Sequence, residues 1–306
     1  MLPYNANGVP NIQEMIIAHT ANPKVLVESK YYEGADTSGS GASSESELYP
    51  RQLASLLETA GSHGFRTLPF KGYIKEQSRY VFFFDYPPQA GDSVPKSLYD
   101  LIHFKEKLSL KLRFHIAYTV SRSISAFHAD GWVHKSISSH AIKFFFNTAG
   151  VCDFENPYLT DFELSRPDTG ETRLIGQNSD PEEYIYQHPD RQGSPTRFTK
   201  VHDIYSLGVV LLEIGLWEPA HKMYNDYVRE FRKREPHLGS LSATTIRKNL
   251  LGDASRRLEH RMGLAYKEAV VSCLSDEFQE CLKQDDFAMV FQKLVVQKVD
   301  IKRLLE

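Results

Sequence analysis

Two closely spaced carboxylates, Asp161 and Glu163, have the residue types and the spacing that could bind a hard metal ion. Carboxylate oxygens are ligands that magnesium prefers. A simpler interpretation of Glu163 is a solvent-facing carboxylate in an inert loop. The three cysteines stand far apart in the sequence, with neither zinc spacing nor a disulfide framework. They predict reduced thiols and a cytoplasmic location.

The elements that must position these groups begin with a small α+β unit. Strands are predicted over residues 24–32, 67–73 and 80–86, and a helix over residues 50–60 with its leucines on one face. Residues 36–47 are rich in serine, glycine and acidic residues, which predicts a disordered loop inside the domain.

The rest of the chain is predicted to be mostly helical. Residues 109–130 carry apolar side chains with a period of 3.6, and residues 202–217 are apolar nearly all round, which indicates a buried central helix. Asp203 at the start of that helix would be costly to bury without hydrogen-bond donors. Further helices are predicted at 226–234, 242–251, 259–274 and 286–296.

Composition excludes several classes of protein. The chain has 306 residues, a net charge of -3 and 41% hydrophobic residues. This balance predicts no nucleic-acid or membrane-surface binder. The longest apolar run, at 207–216, is far shorter than the roughly 20 residues of a membrane span. Residues 1–11 are polar and lack the apolar core of a signal peptide.

Four pieces of the sequence, in order, resemble protein kinases. Residues 133–141 resemble the catalytic loop, residues 159–163 the magnesium-binding Asp-Phe-Gly, residues 187–190 the Ala-Pro-Glu segment, and residues 203–213 the buried helix after it. The resemblance implies a bilobal kinase-like α+β fold. It implies an N-terminal segment at 1–20, a small sheet lobe with one helix at 21–87, and a large helical lobe at 88–306.

A narrower resemblance concerns residues 257–274. Their sequence is similar to the kinase-like domains of filamentous fungi, which often accompany incompatibility and prion-type or innate-immunity-like domains. This implies a signalling role inside a longer multidomain protein.

The catalytic loop departs from the family pattern at each position that phosphoryl transfer needs. Ser136 replaces the catalytic aspartate, and a serine hydroxyl cannot accept a proton near pH 7. Ser138 replaces the lysine that contacts the transferred phosphate. Ala141 replaces the asparagine that binds metal, and the neighbouring His140 is a poor ligand for magnesium. His134 and the basic Lys135 are retained.

Other nucleotide-site positions are partly retained. The resemblance implies that Asp161 holds one magnesium ion, that Glu163 in place of glycine alters the turn, and that Phe162 is structural. Lys30 aligns with the lysine that contacts phosphate, although an ordinary strand lysine is an equal alternative. Its usual glutamate partner would fall at residues 51–54, and none of these is acidic.

The phosphate loop and the hinge are also altered. No Gly-x-Gly-x-x-Gly precedes Lys30. Phe84 aligns with the gatekeeper, followed by Asp85 and Tyr86 as hinge contacts to a nucleotide. Pro87 falls where the family donates a backbone N–H to adenine, and proline has none.

The second half of the motif set is expected to be structural. The resemblance implies that Asp203 accepts hydrogen bonds from amides of the catalytic loop, and that Pro189, Asp190 and Gly208 support the fold. Asp190 is predicted to pair with an arginine, either Arg257 or Arg261. Residues 164–187 contain Tyr184, Tyr186 and several hydroxyls open to phosphorylation, without a clear basic pocket in the sequence.

These residues leave three functional hypotheses. The first is a pseudokinase: a regulatory module that binds a protein partner, binds ATP weakly or not at all, and transfers phosphate inefficiently. The second is an atypical active Ser/Thr-type kinase that uses Lys30 and Asp161 with ATP and magnesium. The third is a degenerate domain without a partner. The sequence assigns no cofactor outright, and ATP and magnesium belong to the second hypothesis.

Overall fold

The structure, a computed structural model, describes residues 24–31, 44–76, 79–169, 184–191, 196–235, 237, 241–281 and 287–304. The fold is mixed α+β. The N-terminal part carries a three-stranded antiparallel sheet and one long helix, and the C-terminal part is mainly helical.

The N-terminal sheet contains β1 (Val25–Tyr31), β2 (Phe70–Lys75) and β3 (Arg79–Asp85), in the order β1-β3-β2. Strand alternation divides the side chains of β1 between two faces. Val25 and Val27 pack against a small apolar cluster on one face, whereas Leu26 packs against the main core on the other. Glu28 and Lys30 follow Leu26 in the alternation and therefore face the C-terminal part.

Helix α1 (Ser44–His63) begins six residues before its predicted start at residue 50. Proline is favoured in the first turn of a helix. The helix instead includes Pro50, and it takes in the last four residues of the predicted 36–47 loop. Residues 36–43 lie outside the described residues.

The C-terminal part is built from helices joined by short strands. The helices are α2 (Leu98–His103), α3 (Leu110–Ala129), α4 (Lys200–Leu216), α5 (Ala220–Arg234), α6 (Ala243–Arg257), α7 (Glu259–Leu274), α8 (Glu277–Cys281), α9 (Phe287–Phe291) and α10 (Ile301–Leu304), with a π-helical turn at Gln292–Val296. The strands are β4 (Lys96–Ser97), β5 (Trp132–Val133), β6 (Ile142–Phe144), β7 (Tyr158–Leu159) and β8 (Arg166–Pro167).

Helix α4 forms the centre of the C-terminal part. Every residue from Val201 to Leu216 is buried, as its all-round apolar sequence predicts. A Cβ atom added at Gly208 would lie 2.6 Å from the Cβ of Cys273 on α7. Gly208 is thus required for the close approach of α4 and α7. No helix among the described residues is long and apolar enough to cross a membrane.

Candidate functional site

Asp203 fixes the segment that carries His134 and Lys135. Its carboxylate is fully buried and accepts hydrogen bonds from the backbone N–H groups of His134 (2.7 Å) and Lys135 (2.9 Å). A ring nitrogen of His128 on α3 lies 3.0 Å from the same carboxylate. Burial raises the pKa of Asp203, but the hydrogen bond and charge of His128 outweigh it and hold the pKa below its usual value. The hydrogen bonds predicted for Asp203 are confirmed.

The three altered positions of the loop offer no group suited to phosphoryl transfer. The Ser136 hydroxyl is buried and has no hydrogen-bond partner among the described residues. Ser138 precedes a single 3-10 turn, Ser139–Ala141, and its carbonyl accepts the N–H of Ala141. Ala141 is fully buried. The loop therefore provides neither a carboxylate base nor an ammonium group nor an amide oxygen at these positions.

Asp161 is held by a residue that sequence reasoning missed, Glu28 on β1. One Glu28 carboxylate oxygen accepts the N–H of Asp161 and the other accepts the N–H of Phe162, both at 2.8 Å. Asp161 adopts the left-handed conformation, with φ of 67°, which aspartate tolerates better than most residues. Glu28 thereby binds the turn on its backbone side.

The environment of Glu28 is electrostatically unfavourable for a carboxylate. Its side chain is buried, and burial together with the charge of Asp161 raises the pKa of Glu28 to about 8, although the two amides oppose this. A neutral carboxyl group is thus expected at this position near pH 7. The only hint in the sequence is that Glu28 and Lys30 share a strand face.

Lys30 is also bound to the backbone of the same turn. Its Nζ donates to the carbonyl of Glu163 (2.6 Å) and to the carbonyl of Ser165 (2.8 Å). Burial and the charge of Lys135 lower the pKa of Lys30 to about 7. Glu58 is the first acidic residue of α1 after residues 51–54, where the partner of Lys30 was expected. It is exposed and forms no ion pair with Lys30.

The charged groups around the Asp161 turn are largely engaged within the chain. The Lys30 ammonium donates to protein carbonyls, Glu28 adds a second acidic group beside Asp161, and Ala141 has no side-chain oxygen. Phosphate oxygens need positive charge and N–H donors. The site supplies acidic groups and donors that are already engaged.

Aromatic rings fill the space behind the Asp161 turn. Phe162 and Phe84 are both buried, and their rings stack with centroids 6.3 Å apart. The ring of His134 packs on Phe162 at 4.9 Å. These contacts join Phe84, the 161–165 turn and the loop that carries His134 into one core.

Asp85 and Tyr86, which the resemblance aligns with a hinge, use their polar groups in contacts within the chain. The Asp85 carboxylate pairs with Lys71 at 2.8 Å, and the Asp85 N–H donates to the carbonyl of Pro69. The Tyr86 N–H donates to the carbonyl of Lys24, and the Tyr86 ring contacts Phe145. With Pro87 lacking an N–H, none of these three residues has a backbone donor free of an internal acceptor.

Asp190 pairs with histidines, so the predicted pairing with Arg257 or Arg261 is wrong. The Asp190 carboxylate lies 2.9 Å from His188 Nδ1 and 2.8 Å from His202 Nε2. Arg257 instead pairs with Glu218, and Arg261 donates to the carbonyl of Leu216. The short Asp190 side chain is satisfied by the two imidazoles, and it reaches neither Arg257 on α6 nor Arg261 on α7. Pro189 begins the 3-10 turn that contains Asp190.

His188, Asp190 and His202 are also close enough together to suit a metal ion. The hydrogen bonds argue against one. The Thr199 N–H donates to His202 Nδ1 at 2.7 Å, so Nδ1 carries the lone pair and Nε2 carries the proton that Asp190 accepts. His202 therefore has no lone pair directed at the cluster, and we assign it a structural role.

A basic cluster that the sequence did not reveal lies beside the loop. Burial and the charges of Arg166 and Arg191 lower the pKa of Lys135 to about 8. The Lys135 Nζ lies 5.8 Å above the ring of Phe198.

Residues 170–183 of the predicted activation segment lie outside the described residues. Tyr186 is buried and donates to Glu213 (2.8 Å), so its hydroxyl serves the core and is not exposed for phosphorylation.

Comparison with known proteins gives one partial similarity. A scan against models of protein families finds no match. The chain is similar to Protein STRUBBELIG-RECEPTOR FAMILY 5 of Arabidopsis thaliana, with 26% identity over 151 residues. The match covers 47% of this chain and 18% of that protein. It supports a kinase-like domain, and the mixed α+β fold is compatible with one.

Proposed function

We propose that this chain is a pseudokinase, a bilobal kinase-like domain that acts as a regulatory or interaction module. The observation that carries the proposal is the double contact of β1 with the 161–165 turn. Glu28 binds the amides of Asp161 and Phe162, and Lys30 binds the carbonyls of Glu163 and Ser165. The Lys30 ammonium, which the resemblance assigns to phosphate, is thus used to hold the turn in one conformation.

The altered loop supports the same proposal independently. Loss of a general base alone lowers a rate by roughly 10²- to 10⁴-fold. Here Ser138 and Ala141 also remove the phosphate-contacting charge and a metal ligand. Three residues that match the kinase pattern are retained and are buried in the core: Asp203, Phe162 and His134. A scaffold that keeps its shape and loses its chemistry fits an interaction module, whose wider setting we propose to be signalling in a multidomain protein of fungal type.

A phosphotransfer assay tests the proposal. The wild-type chain and Asp161→Asn are incubated with radiolabelled ATP, magnesium and generic protein substrates. We expect no transfer above the Asp161→Asn background. Ser136→Asp combined with Ala141→Asn shows whether the scaffold regains any activity once the two groups are restored.

An atypical active kinase is the second candidate. In its favour, Asp161 is only partly buried, and Lys30 contacts the same turn. Transfer by the wild-type chain that disappears in Asp161→Asn would establish this candidate and overturn the pseudokinase proposal.

A further inference from the structure

A basic surface lies beside the start of α3, and we call it the α3 surface. The Arg113 guanidinium lies 4.6 Å from the centre of the Trp217 ring, and Trp217 Nε1 donates to the carbonyl of Glu106 at 2.9 Å. Arg261 on α7 donates to the carbonyl of Leu216, the residue before Trp217, at 2.7 Å. Around this centre the α3 surface consists of Lys105, Lys107, Leu110, Lys111, Arg113 and Arg261.

The positive charge of the α3 surface is not compensated by ion pairs. None of its five cations forms an ion pair with a described residue. The buried Nε of Arg113 has no hydrogen-bond partner, and burial together with the charge of Arg261 lowers the pKa of Arg113. The neighbouring carboxylates are already paired with other cations: Glu106 with Lys96 (3.7 Å), Glu218 with Arg257 (2.5 Å) and Glu259 with Lys267 (2.6 Å).

Two of these cations occupy an unfavourable position on their own helix. Lys111 and Arg113 lie in the first turn of α3, and that turn contains no acidic residue. The N-terminus of a helix is the positive end of its dipole, where acidic groups stabilise and basic groups destabilise. This arrangement favours negative charge supplied from outside the chain.

Exposed apolar side chains accompany the cations. Phe104, which precedes Lys105, has a relative exposure of 65%, and Leu110 one of 50%. An anionic membrane surface attracts this combination, because basic groups approach the headgroups while apolar side chains enter the interface. Three of the five cations are lysines, whose flexible, hydrated ammonium groups suit a diffuse layer of charge, whereas arginine forks suit fixed pairing with peptide carboxylates.

We propose that the α3 surface binds the anionic headgroups of a lipid bilayer. Phe104 and Leu110 enter the interface, and the five cations lie against the headgroups. The composition predicts no membrane-surface binder because the net charge of -3 is an average over the whole chain, which hides this local excess of positive charge. The inference goes beyond the pseudokinase proposal and does not depend on phosphotransfer.

Co-sedimentation of the full chain with lipid vesicles tests the inference. One set of vesicles is phosphatidylcholine alone, and a second contains about 30% phosphatidylserine. We expect binding to the second set to be at least about tenfold tighter in roughly 0.1 M salt. Raising the salt to about 0.5 M should weaken this binding, because screening shortens the range of the attraction.

Variants locate the binding surface. The triple substitution Lys105→Gln, Lys107→Gln and Lys111→Gln should weaken binding at least about 30-fold, since each lysine near an anionic surface contributes about fivefold. Leu110→Ser should weaken it at least about threefold. Arg113 and Arg261 are left unchanged because they also contact the end of α4.

A second triple variant is the matched control. It removes the same charge from exposed lysines elsewhere and should bind as the wild type does: Lys248→Gln, Lys293→Gln and Lys302→Gln. Thermal unfolding of each variant checks that the fold is intact. Fluorescence anisotropy with a labelled glutamate-rich peptide examines the alternative occupant, an acidic protein segment.

Several results would overturn the inference: no vesicle binding, equal binding to the two vesicle compositions, or equal losses in the two triple variants. Binding of the glutamate-rich peptide without binding of vesicles would overturn it in favour of an acidic protein segment. Activity in the radiolabel assay would overturn the pseudokinase proposal alone, and absence of vesicle binding would overturn this inference alone.

Discussion

Two buried carboxylates, Asp203 and Glu28, make nearly the same contact in two regions of the molecule. Each accepts two backbone N–H groups of a loop, Asp203 from residues 134 and 135 and Glu28 from residues 161 and 162. The groups around the two carboxylates shift their pKa values in opposite directions. His128 and His134 lower the pKa of Asp203, whereas burial and Asp161 raise the pKa of Glu28 to about 8.

The two carboxylates differ in how far neighbouring groups compensate their negative charge. Asp203 is surrounded by donors, so its charge is compensated. Glu28 shares its space with Asp161 and Glu163, while Lys30 donates to carbonyls. The Asp203 contact is a stable anchor, and the Glu28 contact is an anchor whose strength depends on protonation.

The largest expected effect comes from removing the compensated anchor. Asp203→Ala leaves three buried donors without an acceptor, and we expect the free energy of unfolding to fall by about 3–5 kcal/mol. Urea unfolding followed by circular dichroism measures this. Asp92→Ala, whose side chain is 84% exposed beside Lys24, is the control and should change stability by less than about 0.5 kcal/mol. Equal effects of the two substitutions would contradict the anchor role.

The pH dependence of stability should distinguish the two carboxylates. The raised pKa of Glu28 contributes stability that is complete below its unfolded value of 4.5 and is lost as the pH rises through about 8. Between roughly pH 5 and pH 7 we expect a loss of about 2–3 kcal/mol from this group. Asp203, whose pKa is lowered, contributes stability that is lost only as the pH falls below its unfolded value of 3.8.

Denaturant unfolding at several pH values checks this difference. Glu28→Gln should flatten the fall between roughly pH 5 and pH 7. Lys30, whose pKa is about 7, is charged over most of this range and contributes little to the slope until its upper end. The slope with pH is the quantity compared, since the substitution also alters the two amide contacts. A slope that is unchanged in Glu28→Gln would show that Glu28 does not titrate as described.

A smaller effect is expected from a substitution at Gly208 on the central helix α4. Gly208→Ala places a methyl group 2.6 Å from the Cβ of Cys273, and we expect about 1–3 kcal/mol of destabilisation from overpacking. Gly252→Ala on α6 is the matched control, because its nearest neighbour is the flexible Arg256 side chain at 3.5 Å. There, alanine should be neutral or stabilising by up to about 1 kcal/mol. Similar destabilisation at both sites would contradict the packing account of α4 and α7.

The helical part of the molecule was predictable because the periodic spacing of apolar residues along the sequence matches the helices of the structure. Helix α7 has the predicted bounds of 259–274, and the need of Asp203 for amide donors followed from its place at the start of a buried helix. The candidate site was less predictable. Glu28 and Lys30 stand two residues apart on one strand face, so alternation cannot tell which of them faces Asp161. The pairing of Asp190 with histidines depends on tertiary distances that no local pattern signals.

Calorimetric titration of the chain with ATP and magnesium tests most directly the central proposal, namely that Glu28 and Lys30 hold the 161–165 turn and so leave no free ammonium group for a nucleotide. The account predicts no saturable heat up to about 1 mM ATP, which corresponds to a binding free energy weaker than about -4 kcal/mol. Saturable binding at or below about 100 µM that disappears in both Lys30→Met and Asp161→Asn would contradict it.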